Sequence, residues 1–270
     1  MIAVPTSPLA HVLFDLSAWG AGMGLSLVLY RWRLREMTAE VAGKVDGGYF
    51  AALVAGAIPG AWLAGSLTSL RDATPALSHS VVGALIGAIV GVEIYKALRG
   101  VNGSTGGMFV GPFALGVVVG RWGCLFAGLP DGTYGAPTNL PWAVDLGDAL
   151  GRHPVQAYES LAMAAFLLVY LHGLARRRPW AMRRGFYALC VWYGATRFGW
   201  EFLKPYPRLI GPLNLFHVLC GGLVVYGWIY WRGDLARERA QGRALPLPGT
   251  DDEPVRDLPG ARPRQGDRRG

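Results

Sequence analysis

Four polar side chains stand inside stretches of sequence that are otherwise apolar. Tyr193, Arg197 and Glu201 follow one another at four-residue intervals, which on a helix aligns a phenol, a guanidinium and a carboxylate along one stripe. Arg121 stands in a separate apolar stretch. Because a guanidinium binds a phosphate through two parallel hydrogen bonds, the two arginines predict a site for an anionic headgroup. A buried structural ion pair is the alternative interpretation of Arg121.

Two glycines and a histidine add to this chemistry. Gly120 and Gly123 flank Arg121, and their lack of a side chain leaves room for a ligand beside the guanidinium. His79 opens another apolar stretch. A neutral imidazole, whose pKa is normally about 6.5, can accept a proton at working pH. His79 is therefore the candidate base.

The 129–154 segment is rich in glycine and proline and separates two apolar stretches. It is long enough to fold over a membrane site as a lid. Asp131 and His153 are the polar side chains of this segment that we expect to contact a substrate.

The composition identifies the kind of protein that must position these residues. Of 270 residues, 52% are hydrophobic and only 16% are charged, and the mean hydropathy is +0.28. Soluble domains contain more charge, so the composition indicates a membrane protein. The net charge of +8 comes from short basic clusters between apolar runs, a pattern typical of cytoplasmic loops rather than of a nucleic-acid-binding surface.

Seven apolar stretches have about the 20-residue length that a helix needs to cross a bilayer. They are residues 11–30, 49–67, 79–98, 109–127, 155–174, 185–203 and 213–231. The predicted fold is therefore an all-α polytopic membrane domain of about seven transmembrane helices in residues 1–232. Small residues recur at four-residue intervals in three of the stretches, which predicts close helix packing in lipid. They are Gly56, Gly60 and Ala64, then Gly83, Gly87 and Gly91, then Gly116 and Gly120.

Basic residues fall mostly in loops that share one side of the membrane. With the N-terminus outside, the inner loops carry eleven lysines and arginines and the outer loops carry four. Because cytoplasmic loops are enriched in these residues, the N-terminus is predicted outside and the C-terminus in the cytoplasm. Residues 233–270 combine proline, glycine and mixed charge with little apolar content, which predicts a disordered cytoplasmic tail.

The three cysteines predict neither a metal site nor a redox site. Cys124, Cys190 and Cys220 lack the paired spacing of such motifs, and we interpret them as reduced packing residues. The sequence contains no nucleotide-binding motif either. We therefore expect no cofactor.

Three successive motifs resemble those of the bacterial prolipoprotein diacylglyceryl transferase family. They are GRWGCLFAG at 120–128, LPWAVD at 140–145 and RHPVQAYE at 152–159, and their order and spacing match too. The resemblance extends to Tyr193, Arg197 and Glu201 and more loosely to His79. It covers roughly residues 79–231.

This resemblance implies a multi-pass enzyme of the bacterial cytoplasmic (inner) membrane. The family moves a diacylglyceryl group from phosphatidylglycerol onto the lipobox cysteine thiol of a preprolipoprotein, and glycerol phosphate leaves. By resemblance, Arg121 and Arg197 bind the headgroup and the leaving phosphate, and Glu201 orients Arg197. Tyr193 would line the pocket, and His79 matches the family's candidate base.

The sequence departs from the family pattern at three places. The family's His-Gly-Gly reads His79-Ser80-Val81, its Asn after Gly-Arg-x-Gly is Cys124, and only Asp131 offers a carboxylate near the family's glutamate position. Two alternatives therefore stay open. One is a transferase that uses an anionic phospholipid with a different acceptor, and the other is a non-catalytic lipid-binding or transport homologue. We expect a Cys124→Ala variant to have only a mild effect.

Overall fold

The computed structural model describes residues 1–69 and 77–240, and their main elements are helices. The helices are α1 (Pro8–Leu29), α2 (Arg35–Ala42), α3 (Gly47–Ser69), α4 (Val81–Leu98), α5 (Val110–Ala127), α6 (Val155–Ala175), α7 (Pro179–Glu201) and α8 (Leu215–Ala240). A π-helical turn, Tyr30–Leu34, joins α1 to α2. Two short strands, β1 (Ile2–Ala3) and β2 (Val144–Asp145), complete the described fold.

Five helical stretches of the described residues are long and apolar enough to cross a membrane. They are Pro8–Ala39, Gly47–Leu67, Val81–Leu98, Gly107–Ala127 and Val155–Ala175. Each overlaps one of the first five predicted spans. The last two predicted spans correspond to α7 and α8, which are long but less apolar. The reason is their composition: α7 carries arginines and a glutamate, and α8 alternates aliphatic residues with tyrosine, tryptophan and glycine.

Glycines let α3 and α4 approach each other closely, as the small-residue spacing predicts. A Cβ placed on Gly56 would lie 2.0 Å from the backbone oxygen of Gly87, and one placed on Gly60 would lie 2.4 Å from that of Gly83. The α5 glycines behave differently. A Cβ on Gly116 meets no atom within 4 Å, and one on Gly120 meets only Asp15 Oδ1 at 3.9 Å. The packing prediction is confirmed for α3 and α4 and is wrong for these two α5 positions, which are open.

The hydrophobic core lies among α1, α4, α5, α6, α7 and α8. Its fully buried members include Leu29, Val82, Val110, Tyr170 and Leu189. This packing fixes α5, α6 and α7 side by side, so that polar residues near their ends meet. We call the end at which α5 and α7 finish the arginine end, and the other the opposite end.

The 129–154 segment covers the arginine end with an ordered fold. It begins with a 3-10 turn, Leu129–Asp131, and β2 then pairs in parallel with β1, with Ile2 opposite Val144. Leu146 packs with Val144 and with Leu125 of α5 in a small second core. The backbone N–H of Ala136 also donates to the carbonyl oxygen of Leu203, 2.6 Å away, beyond the end of α7. The segment is thus attached to the chain start, to α5 and to the end of α7.

The last helix continues further than the sequence analysis predicted. α8 ends at Ala240, so residues 233–240 extend it as a helix. Two ion pairs explain the extension: Glu238 accepts from Arg184 of α7, and Asp234 pairs with Arg237 one turn later. The remainder of the predicted tail, residues 241–270, lies outside the described residues.

Candidate functional site

Five ionised side chains meet at the arginine end, and all are buried. They are Arg121 of α5, Glu159 of α6, Arg197 and Glu201 of α7, and Lys204 just after α7. We call them the five-charge cluster. A charge in the membrane interior is costly unless it is paired, so such a cluster marks a structural or functional necessity.

Glu159 is the centre of this cluster. Its Oε2 accepts from Arg121 Nε at 2.5 Å and from Arg197 Nη1 at 3.3 Å, while its Oε1 accepts from Lys204 Nζ at 2.6 Å. One carboxylate therefore contacts all three cations, which come from α5, from α7 and from the chain after α7.

Glu201 forms the second anionic contact. Arg197 Nε donates to Glu201 Oε1 at 2.8 Å, which is the geometry expected of residues four apart on one helix. Lys204 Nζ lies 3.3 Å from the same oxygen, and Asn214 Nδ2 lies 3.3 Å from Oε2. The helical stripe predicted from the sequence exists, and Glu201 lies in hydrogen-bond contact with Arg197.

The cluster carries more positive than negative charge. Three cations face two carboxylates, so one positive charge is not neutralised by the described side chains of the cluster. Two further polar atoms nearby are buried without a hydrogen-bond partner in the described part of the chain: the Tyr193 hydroxyl and His217 Nε2. His217 is fixed by Asn214, whose Oδ1 lies 2.9 Å from its Nδ1. An anion that accepts hydrogen bonds would complement both features.

An apolar cavity lies among the helices. It has a volume of about 340 Å3, is lined by residues of α3, α4, α5, α7 and α8, and reaches Glu93 and Lys96 near the opposite end. Phe113 lines the cavity and packs edge-to-face on Tyr193, with ring centroids 5.2 Å apart. Tyr193 lies one helical turn from Arg197, so this aromatic contact links the cavity wall to the helix that carries Arg197.

His79 is placed apart from the arginines. It is exposed just before α4, and its ring lies 6.0 Å from that of Trp62 on α3. Over residues 1–69 and 77–240, no hydrogen bond, ion pair or ring contact joins His79 to Arg121 or Arg197. The structure does not bring the predicted base into the cluster.

Of the other residues predicted to contact a ligand, Gly120 borders open space, whereas Gly123, Asp131 and His153 lie against other parts of the protein. Gly120 borders open space beside Arg121, whereas Gly123 packs against α1, since a Cβ there would lie 2.7 Å from Phe14 Cβ. Asp131 pairs with His11 of α1. His153 lies in the covering segment near Tyr158, with ring centroids 6.3 Å apart, and its Nδ1 is buried without a partner among the described residues.

Sequence reasoning missed several contributors to this site. Glu159 stands out in the sequence as an acid in a predicted span and lies at the end of the RHPVQAYE motif, but its central position depends on how α5, α6 and α7 pack. Lys204 follows directly after a predicted span, where a lysine normally reaches water, yet it is buried. His217 and His11 gave no signal beyond being isolated histidines in apolar stretches.

A comparison with known protein families shows to which family the chain belongs. The family model described as prolipoprotein diacylglyceryl transferase matches residues 16–232, which include the whole five-charge cluster. The chain belongs to the prolipoprotein diacylglyceryl transferase family. No solved structure gives a significant match to it.

Curated relatives agree with this membership. The chain is similar to proteins named phosphatidylglycerol–prolipoprotein diacylglyceryl transferase from three bacteria. The Finegoldia magna protein is 31% identical over 45% of this chain and 47% of its own length. The Bordetella parapertussis protein is 32% identical over 54% of each, and the Cupriavidus metallidurans protein is 27% identical over 59% of this chain and 62% of its own length. The chain thus spans about half the length of the curated relatives it matches.

Proposed function

We propose that the protein transfers a diacylglyceryl group from phosphatidylglycerol to the lipobox cysteine thiol of prolipoproteins. The observation that carries the proposal is the uneven five-charge cluster, in which three buried cations face two carboxylates. A phosphodiester headgroup carries one negative charge and accepts hydrogen bonds from guanidinium groups. It complements the cluster in both charge and geometry.

The reaction is a displacement at carbon, and the cluster suits its leaving group. The thiol loses its proton to water, its sulfur forms a bond to the diacylglyceryl carbon that carries the phosphate, the carbon–oxygen bond breaks, and glycerol phosphate departs with the electron pair. Negative charge therefore develops on a phosphate oxygen. Preorganised donors such as Arg121, Arg197 and Lys204 stabilise such charge most effectively when they are shielded from water, as these are.

The apolar cavity suits the acyl part of the same donor. Most of its lining residues are aliphatic or aromatic, including Leu53, Leu85 and Ile89. Burial of hydrocarbon in such a space is favourable by about 0.8 kcal/mol per methylene. The aromatic pair of Phe113 and Tyr193 connects the cavity wall to the headgroup cluster. A phospholipid with its phosphate at the cluster and an acyl chain in the cavity accounts for both sites.

The orientation in the membrane follows from the placement of the basic residues. We infer that α7 and α8 also cross the bilayer, giving seven spans, because 23 helical residues extend about 34 Å. The positive-inside rule then places the opposite end in the cytoplasm and the N-terminus and the five-charge cluster outside. The cytoplasmic (inner) membrane of a bacterium is the compartment that fits this arrangement.

Turnover by the purified protein tests the proposal. The full chain in detergent is incubated with phosphatidylglycerol and a lipobox peptide, and the peptide mass and released glycerol phosphate are measured together. We expect one diacylglyceryl group per peptide and an equal amount of glycerol phosphate. A matched peptide with serine in place of the cysteine should give neither product.

Other outcomes would favour the alternatives. Release of glycerol phosphate without any gain in peptide mass would indicate a different acceptor. Binding of phosphatidylglycerol without either product would indicate a non-catalytic lipid-binding homologue. Either result would overturn the proposed acceptor or the proposed activity.

A further inference from the structure

Three metal-ligating side chains converge beside the five-charge cluster although they are distant in sequence. They are His11 near the start of α1, Cys124 near the end of α5, and Asp131 at the end of the 3-10 turn that follows. A ring nitrogen, the thiol sulfur and a carboxylate oxygen all lie within 4.8 Å of one another. His11 Nδ1 and Asp131 Oδ1 are 2.8 Å apart. The close packing of α1 on α5 at Gly123 brings His11 into this position.

Each of the three donors has a supporting partner. Asp15, one turn along α1, places Oδ2 3.2 Å from His11 Nε2. The Thr133 hydroxyl donates to the second carboxylate oxygen of Asp131. Arg121 Nη1 lies 3.8 Å from Cys124 Sγ. Metal-binding histidines characteristically donate their second N–H to a carboxylate, and metal-binding carboxylates are themselves hydrogen-bonded. Both of these features are present.

His11 lies between two carboxylates. Its ring nitrogens face oxygens of Asp15 and Asp131, at 3.2 and 2.8 Å. A metal ion held by Nδ1, Asp131 and Cys124 would leave Nε2–H to donate to Asp15, which is the arrangement typical of metal-binding histidines.

We propose that His11, Cys124 and Asp131 bind a zinc ion through three side chains and leave its fourth position open. A set of one imidazole, one thiolate and one carboxylate suits zinc, whereas calcium and magnesium take oxygen ligands. Three protein ligands with one open position is the arrangement of catalytic zinc sites. The three donors are half-buried, and the open surface at Gly120, one helical turn before Cys124, where an added Cβ would lie 3.9 Å from Asp15 Oδ1, gives space for a fourth ligand. This proposal replaces two expectations from the sequence, no metal and only a mild effect of Cys124→Ala, because the three ligands lack a short-range motif.

The site also has a place in the proposed transfer reaction, and this step rests on the proposed function. A zinc ion held by His11, Cys124 and Asp131 would supply the positive charge that makes an acceptor thiol in its fourth position a thiolate, with the thiol proton passing to water. The sulfur then forms its bond to the glycerol carbon as the carbon–oxygen bond breaks, and the electron pair leaves with the phosphate oxygen. Arg121 connects the two halves: its Nη1 is near Cys124, and its Nε pairs with Glu159 at 2.5 Å.

Cobalt substitution tests the metal site without any assay of activity. The full chain without a histidine tag is stripped with a chelator in detergent and titrated with Co2+. We expect absorption bands typical of a tetrahedral site, together with a thiolate-to-cobalt band, at one ion per chain, all displaced by Zn2+. Absence of the thiolate band from folded wild-type protein would overturn the proposal.

Matched variants locate the ion. Cys124→Ser should abolish the thiolate band, and His11→Gln should abolish the one-to-one titration. Cys190→Ala, which changes a buried core thiol, should leave both signals intact. Asp15→Asn should weaken zinc binding by about 10- to 100-fold, because it removes the group that orients His11. Thermal melting of each variant checks that it is folded. A thiolate band that persists in folded Cys124→Ser protein would contradict the assignment.

A second arm separates the thiol step from the proposed function. Addition of the cysteine peptide to the cobalt protein should intensify the thiolate band, and the serine peptide should not. Chelated protein should lose turnover and regain it with Zn2+. Full turnover by metal-free protein would overturn the zinc-thiolate step while the transferase function stands. Cobalt binding and a peptide-dependent band without turnover would overturn the function while the site stands.

Discussion

The two ends of the helix bundle carry ionic groups that are built differently. At the opposite end the described pairs are one to one: Lys96 with Glu93 at 2.9 Å, Arg184 with Glu238 at 3.1 Å, and Arg99 with Asp46 at 3.1 Å. At the arginine end, three cations share two carboxylates and are all buried. Helix α7 takes part in both, with Arg184 near its start and Arg197 near its end.

The one-to-one pairs at the opposite end are typical of structural ion pairs, whereas the uneven cluster at the arginine end is suited to binding an anionic ligand. A one-to-one pair is complete without any further partner, and at an exposed position it adds little stability. An uneven buried cluster contains an unpaired charge, which destabilises the folded protein unless an anion binds to it. Arg184 and Arg197 are both buried arginines of α7. Variants of these two residues therefore test whether the uneven charge of the cluster serves function.

The largest effect is expected for Glu159→Gln. This change leaves the three cations with a single carboxylate, and breaking a buried ion pair in this way costs about 3–5 kcal/mol. Thermal unfolding in detergent should show a large loss of stability. Glu238→Gln removes the partner of Arg184 at the opposite end and should cost less, because Glu238 is partly exposed and water can reach that side of the pair. Equal losses from the two variants would contradict the central role of Glu159.

Arg197→Ala should reduce turnover by about 100- to 1000-fold, because it removes one donor to the developing phosphate charge. Arg184→Ala removes an arginine that is equally buried on the same helix but pairs with a single carboxylate, that of Glu238. Its turnover should stay within about threefold of wild type once folded protein is compared, since no reacting group lies at that end. Phosphatidylglycerol-dependent release of glycerol phosphate is the measurement. Similar losses in both variants would show that the effect is structural.

Two glycine variants compare Gly87, which packs closely against another helix, with Gly116, which borders open space. Gly87→Ala places a methyl group 2.2 Å from the backbone oxygen of Gly56, and such overpacking costs about 1–3 kcal/mol. Gly116→Ala meets no atom within 4 Å and should leave the melting temperature unchanged. If the open face of α5 admits substrate, Gly116→Ala should instead raise KM for the lipid or the peptide. A destabilised Gly116→Ala protein would contradict the open face.

The smallest effect is expected at Asp46, outside the spans at the opposite end. The Tyr95 hydroxyl, the Tyr49 backbone N–H and Arg99 lower the pKa of this carboxyl to about 2. Because the folded-state pKa is below the unfolded value, the stabilisation is complete above about pH 4 and disappears as the pH falls to about 2. The melting temperature of wild type should therefore exceed that of Asp46→Asn at pH 6, and the two should converge near pH 2. A constant difference would contradict this assignment.

Much of the helical scaffold could be predicted from the sequence because it depends on local composition. The start of α6 at Val155 and the end of α5 at Ala127 coincide with the predicted boundaries, since apolar runs end where glycine, proline or charge begins. The stripe of Tyr193, Arg197 and Glu201 was predictable for the same reason, because one helix fixes its geometry.

The rest of the site depends on contacts between helices, which local patterns do not encode. Glu159 joins α6 to both arginines, and Lys204 is buried only because it reaches two carboxylates. His79 matched the family motif but lies beside Trp62 on α3. His11 reaches Cys124 and Asp131 because α1 packs on α5 at Gly123. In each case the informative distance is between residues that are far apart in the chain.

Equilibrium binding of phosphatidylglycerol tests the central claim most directly. Binding to wild type, Arg197→Ala and Arg184→Ala would be measured in detergent against phosphatidylcholine, whose headgroup is neutral overall. Wild type and Arg184→Ala should prefer phosphatidylglycerol, and Arg197→Ala should lose this preference. Equal affinity of wild type for the two lipids, or an unchanged preference in Arg197→Ala, would contradict the claim that the uneven cluster holds an anionic headgroup.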